Sequence, residues 1–244
     1  MSKFTHIAAA LILGLASFAG AAQAQSAKKV LIELYTSQGC SSCPPAEAFL
    51  GELAKRDDII ALEFHVDYWN YLGWTDPFSS KQYTERQHAY VKRMGKRYVY
   101  TPQMVLNGTE DAVGSRRGQV LAAIDTARKH SQIDIVIAKN DAKNVTVKIG
   151  GGFRLSSPAE VWLFAYDSRH ETSVPRGENS GRTLINTNVV RAIRNVGKWR
   201  GKDTEIKLPI GMMGIDDQDG CAIVVQEPDG GRVFGATAFT LAGK

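Results

Sequence analysis

Two cysteines three residues apart, Cys40 and Cys43, fall where an apolar run ends and a helix can begin, and this junction restricts the fold more than any other stretch of the chain. Val30 to Tyr35 has the apolar character of a buried strand, interrupted by Glu33. Thr36 to Gly39 make a turn, and after Pro44-Pro45 the residues Ala46, Phe49, Leu50 and Leu53 recur at helical spacing. Proline suits a first helical turn because its missing N–H would have had no partner there. The cysteines therefore stand at a helix N-terminus, whose partial positive charge favours a thiolate and lowers a thiol pKa. That setting suits disulfide exchange, with Cys40 at the tip of the turn as the nucleophile. Half a zinc site and a static disulfide are the competing uses of the pair. Zinc normally takes four protein ligands, and the third cysteine, Cys221, has no close Cys or His pair to join it. Neither a metal nor another cofactor is expected.

The chain opens with Lys3 and His6, runs apolar from Ile7 to Ala19 and then offers Ala22-Gln23-Ala24, the layout of a secretory signal peptide. A signal peptide is expected at residues 1–24, with Gln25 as the mature N-terminus and a periplasmic or secreted destination. The apolar run is shorter than the roughly 20 residues a spanning helix needs, and no later stretch qualifies. No membrane span is expected in the mature chain. An oxidising compartment lets a C-x-x-C pair rest as a disulfide until a partner reduces it. The net charge of +5 is a mild excess, and its densest patches, Lys92 to Arg97 and Arg116-Arg117, read as solvated helix faces or ends. Nucleic-acid binding calls for a denser basic stripe with interleaved aromatics, so no nucleic-acid partner is expected.

About 220 mature residues exceed one typical domain. Ile59 to Val66 reads as a second apolar strand, and strand, helix, strand makes a right-handed parallel crossover whose two strands end on one edge of the sheet. Ligands of open α/β sheets bind outside that edge. His65, Asp67, Tyr68, Trp69, Asn70, Tyr71 and Trp74 are thus expected near the cysteines, either as substrate contacts or as an aromatic plug. Asp76-Pro77 predicts the start of a helix running to about Met94, with Gly95 ending it. Thr101 to Leu106 reads as a third strand, Asn107-Gly108 as a hairpin turn and Thr109 to Val113 as the returning strand. An amphipathic helix with Val120, Leu121, Ile124 and Ala127 follows and ends near His130. From Ile133 onward the pattern becomes period two, with short strands and Gly/Asp/Asn turns that suggest an all-β sandwich. Within it, Cys221 opens an apolar strand as a buried small residue.

With these pieces in register, Val30 to His130 resembles a thioredoxin-fold domain: C-x-x-C at the first strand-to-helix junction, and Thr101-Pro102 opening the strand that leads to Asn107-Gly108. The wording from Glu33 to Pro45, His65-Val66-Asp67-Tyr68-Trp69, Thr101 to Val105 and Gly177-Glu178-Asn179-Ser180-Gly181-Arg182 is similar to a narrower family of exported bacterial proteins known only as a domain of unknown function. That similarity covers nearly the whole mature chain. The thioredoxin resemblance implies that Cys40 attacks, Cys43 resolves, Pro102 is the cis-proline beside the disulfide and Glu33 is the buried acid, one residue farther from the cysteine than usual. Thr101, Tyr68 and Trp69 are the expected substrate contacts.

The expected molecule is α/β: a thioredoxin-like domain at residues 25–131 followed by an all-β sandwich-like domain at 132–244. Its expected function is thiol-disulfide oxidoreductase, exchanging disulfides with protein thiols in an undetermined redox direction. The alternatives are a soft-metal chaperone holding Cu(I) with Cys40, Cys43 and His65, or a binding module with an inert disulfide and the aromatic loop as its contact surface.

Overall fold

Val30–Thr36 forms β1, and all seven of its residues are buried. In this computed structural model, residues 28–130, 132–141, 143–212, 215 and 217–241 are described. The expected signal peptide and Gln25 lie outside the described residues. β1 is covered on both faces, so it is apolar throughout except where Glu33 finds an ionic partner. Val30, Ile32 and Leu34 point to one face, where they pack on Ala46, Phe49, Leu50 and Leu53 of α1 (Pro44–Leu53) and on Val120 and Ile124 of α3 (Arg117–Ala127). Leu31 and Tyr35 point to the other, against Tyr83 and Tyr90 of α2 (Lys81–Arg93). Each such buried side chain contributes about 1.5–3 kcal/mol.

β2 (Ile59–His65) runs parallel to β1 from Val30↔Ile59 to Thr36↔His65, so the two strands end together beside the cysteine turn. β3 (Gln103–Leu106) pairs antiparallel with the other side of β1, and β4 (Glu110–Val113) returns beside it. Asn107 (φ 46°) and Gly108 (φ 71°) make the turn between them, both in the left-handed region as the Asn-Gly pair predicts. The turn is also enclosed: Asn107 Oδ1 accepts from Leu31 N–H at 2.9 Å, and a Cβ on Gly108 would lie 2.3 Å from Gly231 O.

The expected fold class, α/β with a thioredoxin-like domain followed by an all-β sandwich-like domain, is not what forms. The molecule is mostly β, with three α-helices among the described residues. One mixed eight-stranded sheet, in the order β11-β10-β7-β8-β2-β1-β3-β4, runs through both halves of the chain. Its later strands are β7 (Ala159–Val174), β8 (Arg182–Trp199), β10 (Gly220–Gln226) and β11 (Val233–Thr240). The reason lies at the edge of β2. β8 arrives parallel to it at Glu63↔Val189, and the buried Glu63 carboxyl accepts from Asn186 Nδ2 at 2.7 Å and Thr187 N–H at 2.9 Å. Asn188 Nδ2 donates to Ala61 O at 2.9 Å. A buried carboxyl needs such donors, and β8 supplies two of them. β5 (Ile135–Asn140), β6 (Val145–Ile149) and β9 (Thr204–Leu208) form a three-stranded second layer over β7, β10 and β11, with Phe153, Trp199 and Phe234 stacked between the layers.

The helix expected from Asp76 begins later. Ser80 is the N-cap of α2, its side chain accepting from Gln82 N–H, while Asp76 is 2% exposed and turned inward. Three inward donors hold it there, as described below.

Candidate redox site at the cysteine turn

Cys40 and Cys43 form a disulfide. β1 ends at Thr36, Cys40 N–H donates to Ser37 O at 3.0 Å, Cys43 N–H donates to Cys40 O at 3.2 Å, and Cys43 itself is the N-cap residue of α1. Pro44-Pro45 fills the first turn, where no N–H is needed. Both cysteines are 0% exposed, whereas Ser41 and Ser42 between them face solvent.

The Thr101-Pro102 peptide is cis, and Thr101 Oγ1 donates to Cys40 Sγ at 3.3 Å. Trp69 Nε1 donates in turn to Thr101 Oγ1 at 2.9 Å, and a Cβ on Gly39 would come within 3.1 Å of Trp69 Cβ. Cys40, Cys43, Thr101, Pro102 and Trp69 are thereby gathered at one end of the sheet. Tyr68 stacks loosely beside Trp69, its hydroxyl directed to Gln87 Oε1 of α2 at 3.2 Å.

Glu33 is elsewhere. Its carboxylate lies on the α2 face of β1, ion-paired with Arg86 Nε at 2.6 Å and Nη2 at 2.8 Å and accepting from Tyr35 OH and Tyr90 OH. The extra residue between Glu33 and Cys40 flips its side chain to the face opposite α1, because strand residues alternate.

A different acid stands by the cysteines. Glu47 lies four residues after Cys43 in α1, on the same side of the helix, and accepts from Thr36 Oγ1 at 2.7 Å. Burial pushes its carboxyl up to about 8, the charge of Glu63 adds to the rise, and His65 and the Thr36 hydrogen bond oppose it only in part. His65 Nδ1 is 2.7 Å from Asp76 Oδ2, and its Nε2 is 3.4 Å from Glu63 Oε1 without hydrogen-bond geometry. Burial works against a charged imidazole, yet Asp76 and Glu63 outweigh it and raise His65 to about 10. Burial likewise works against ionised Asp76; His65 and the backbone N–H groups of Gln38 and Phe78 overcome it and hold Asp76 below its ordinary range. His65 is thus engaged with these acids, and among the described residues no group of three or more His, Cys, Asp or Glu could hold a metal ion.

The tip of the β7–β8 hairpin closes the site from the far half of the chain. Asn179, fully buried, donates from Nδ2 to Gln38 O at 2.9 Å and Cys40 O at 3.0 Å, while Arg182 Nη1 donates to its Oδ1. Glu178 Oε2 accepts from Ser41 N–H at 3.0 Å.

A model of the family described as "Protein of unknown function (DUF1223)" matches residues 31–226, a span holding the cysteine turn, the cis-proline segment and the hairpin tip. The chain belongs to the DUF1223 family. A crystal structure of an Agrobacterium tumefaciens protein, a target of the Northeast Structural Genomics Consortium, is similar to it with a TM-score of 0.77 and 33% sequence identity, over 91% of this chain and 97% of that one. No curated protein matches.

Three residues of this DUF1223 site escape a reading of motifs: Glu47, Glu63 and Asp76. One signal for them was available. Glu63 and His65 are two apart in an apolar strand and so share a face, where two ionisable groups demand a polar counterpart. Asn179 stood out only as part of the family-like Gly177–Arg182 stretch; its place on the turn was hidden, since its partners are backbone carbonyls 139 and 141 residues away.

Proposed function

We propose that this DUF1223 protein is an exported thiol-disulfide oxidoreductase acting on protein thiols or disulfides. The observation that carries the proposal is the contact of Thr101 Oγ1 with Cys40 Sγ, at a C-x-x-C disulfide on a helix start. Likeness to the thioredoxin-like superfamily is, on this reading, a likeness of the local constellation. A partner thiolate attacks Cys40 Sγ, the Cys40–Cys43 bond breaks, and Cys43 leaves as a thiolate that takes a proton. A second partner thiolate then attacks the partner sulfur of the mixed disulfide, releasing an oxidised partner and the Cys40 thiolate. Two electrons pass from partner to protein, and the same steps reversed reduce a partner disulfide. Glu47, one helical turn after Cys43 and with its carboxyl pushed up by burial, is the acid placed to exchange the Cys43 proton. Trp69 and Thr101 form the contact surface around Cys40, with Tyr68 at its rim.

Trapping tests the proposal. Cys43→Ser should accumulate mixed disulfides with exported proteins, and Cys40→Ser should capture few. In the reduced protein Cys40 should be alkylated first at mildly acidic pH, because helix-start cysteines have pKa values of roughly 3.5 to 7.5. Alkylation of Cys43 first, or no capture by either variant, would refute it. The burial of both cysteines favours a second reading, a binding module with an inert disulfide. Under that reading dithiothreitol opens the bond only after the protein unfolds.

A further inference from the structure

The exchange chemistry proposed above leaves the hairpin tip without a task, although the tip makes three hydrogen bonds to the cysteine turn. Ser41 follows the attacking cysteine in the turn before α1, where a backbone N–H left unbonded would stabilise a Cys40 thiolate. That donor is bonded to the Glu178 carboxyl. The placement is built: Asn179, adjacent to Glu178, is fully buried with Nδ2 on two carbonyls of the turn, and Gly177 and Gly181 adopt φ of 81° and 78° to shape the tip. Trp74, packed beside Gly177, donates through Nε1 to Gln38 Oε1 of the same turn. The Ser41 hydrogen bond holds the Glu178 carboxyl below its ordinary range, so it is an anion at neutral pH.

We infer that Glu178 is a positioning residue that tunes the cysteine pair, withdrawing the Ser41 N–H from Cys40 and setting a negative charge beside it. Both effects disfavour the Cys40 thiolate, so both favour the disulfide over the dithiol. The hairpin tip therefore makes the pair more reducing than its helix-start position alone would. This rests on the oxidoreductase reading for its purpose, though its measurement does not require a partner protein.

The experiment compares Glu178→Gln, which keeps an acceptor for Ser41 but removes the charge, with Glu178→Ala, which removes both. Glu171→Gln, an exposed carboxylate on the same hairpin paired with Arg169, is the control. Glu47, Glu63, His65, Asp76 and Arg182, the other charged or titratable groups around the turn, are unchanged in all three. Readouts are the pH dependence of Cys40 alkylation in the reduced protein and the redox equilibrium with glutathione. Glu178→Ala should lower the Cys40 pKa by about half a unit or more, equivalent to about a threefold or larger shift of the equilibrium toward the dithiol. Glu178→Gln should give a smaller shift of the same sign, and that shift should shrink between about 20 mM and about 1 M salt as the charge is screened. An unchanged or raised Cys40 pKa in Glu178→Ala, or an equal shift in Glu171→Gln, overturns the inference while leaving the exchange reading intact. A native disulfide that neither glutathione nor dithiothreitol opens overturns both.

Discussion

Glu33→Gln should weaken the fold without slowing disulfide exchange. Glu33 is 1% exposed and the Arg86 side chain 9%, so this ion pair is held away from water. Four donors converge on the carboxylate: two guanidinium N–H groups and the hydroxyls of Tyr35 and Tyr90. An amide replaces one acceptor oxygen by an NH2 that faces those donors, and it leaves the guanidinium without an anion. Removing one partner of a buried pair costs about 3–5 kcal/mol. Arg86 keeps Tyr90 OH and Gln226 Oε1 at 2.9 Å, and its guanidinium keeps the Phe164 ring, 4.8 Å from the centroid. The loss should therefore fall at the low end, about 3 kcal/mol, against a typical total of about 5–15 kcal/mol. Urea unfolding followed by tryptophan fluorescence, with the disulfide intact, reads it as a lowered midpoint at unchanged slope. Glu33→Leu with Arg86→Met should recover much of the loss, since a well-packed apolar pair replaces a buried ionic one at little cost. A loss below about 1 kcal/mol would refute the energetic reasoning. Exchange that slows in Glu33→Gln while the fold holds would return Glu33 to the cysteines.

Other expectations follow from the same geometry. His65, raised from 6.5 to about 10 in the folded protein, contributes stability that is complete below about pH 6.5 and is lost as the pH rises through about 10; His65→Gln should flatten unfolding free energy across that window. Glu47, raised from 4.5 to about 8, keeps a proton that the unfolded chain releases, so its contribution falls as the pH rises from about 4.5 to about 8, and Glu47→Gln should remove that slope. Gly108→Ala should lower stability by about 1–3 kcal/mol in thermal or urea melts, because its Cβ meets Gly231 O at a positive φ. Cys221, whose thiol burial pushes up to about 12, should resist Ellman's reagent in the native oxidised protein and react once unfolded, and Cys221→Ala should retain exchange.

The local pieces of the site were legible because each depends on neighbours in sequence: the β1 run, the proline-opened helix, the Asn107-Gly108 turn. β6 at Val145–Ile149 and β9 at Thr204–Leu208 fall within the region of short period-two strands expected after Ile133. Pairings between distant strands leave no such trace. β7 and β8 extend to Val174 and from Arg182, through polar stretches such as Asp167 to Ser173 that carry little strand character and are exposed or half-buried. The merging of both halves into one sheet rests on Glu63 finding Asn186 and Thr187, which no periodicity announces. Asp76 misled for a related reason: its place before a proline suits an N-cap, but His65 and Gln38 offered a buried alternative.

The sheet also imposes a timetable. Asn186 lies 123 residues downstream of Glu63, so a chain made from its N-terminus presents β2 with a bare edge until most of its length exists. During that interval Glu63 lacks its donors, and the cysteine turn lacks the hairpin tip that later covers it. An open strand edge recruits any other strand at hand, including one from a second copy. A chain stopped at His130 would be caught permanently at this stage, as a self-associating species with accessible cysteines. In the full chain, the arrival of β8 ends the risk of misassembly and the period of free thiol access in one event.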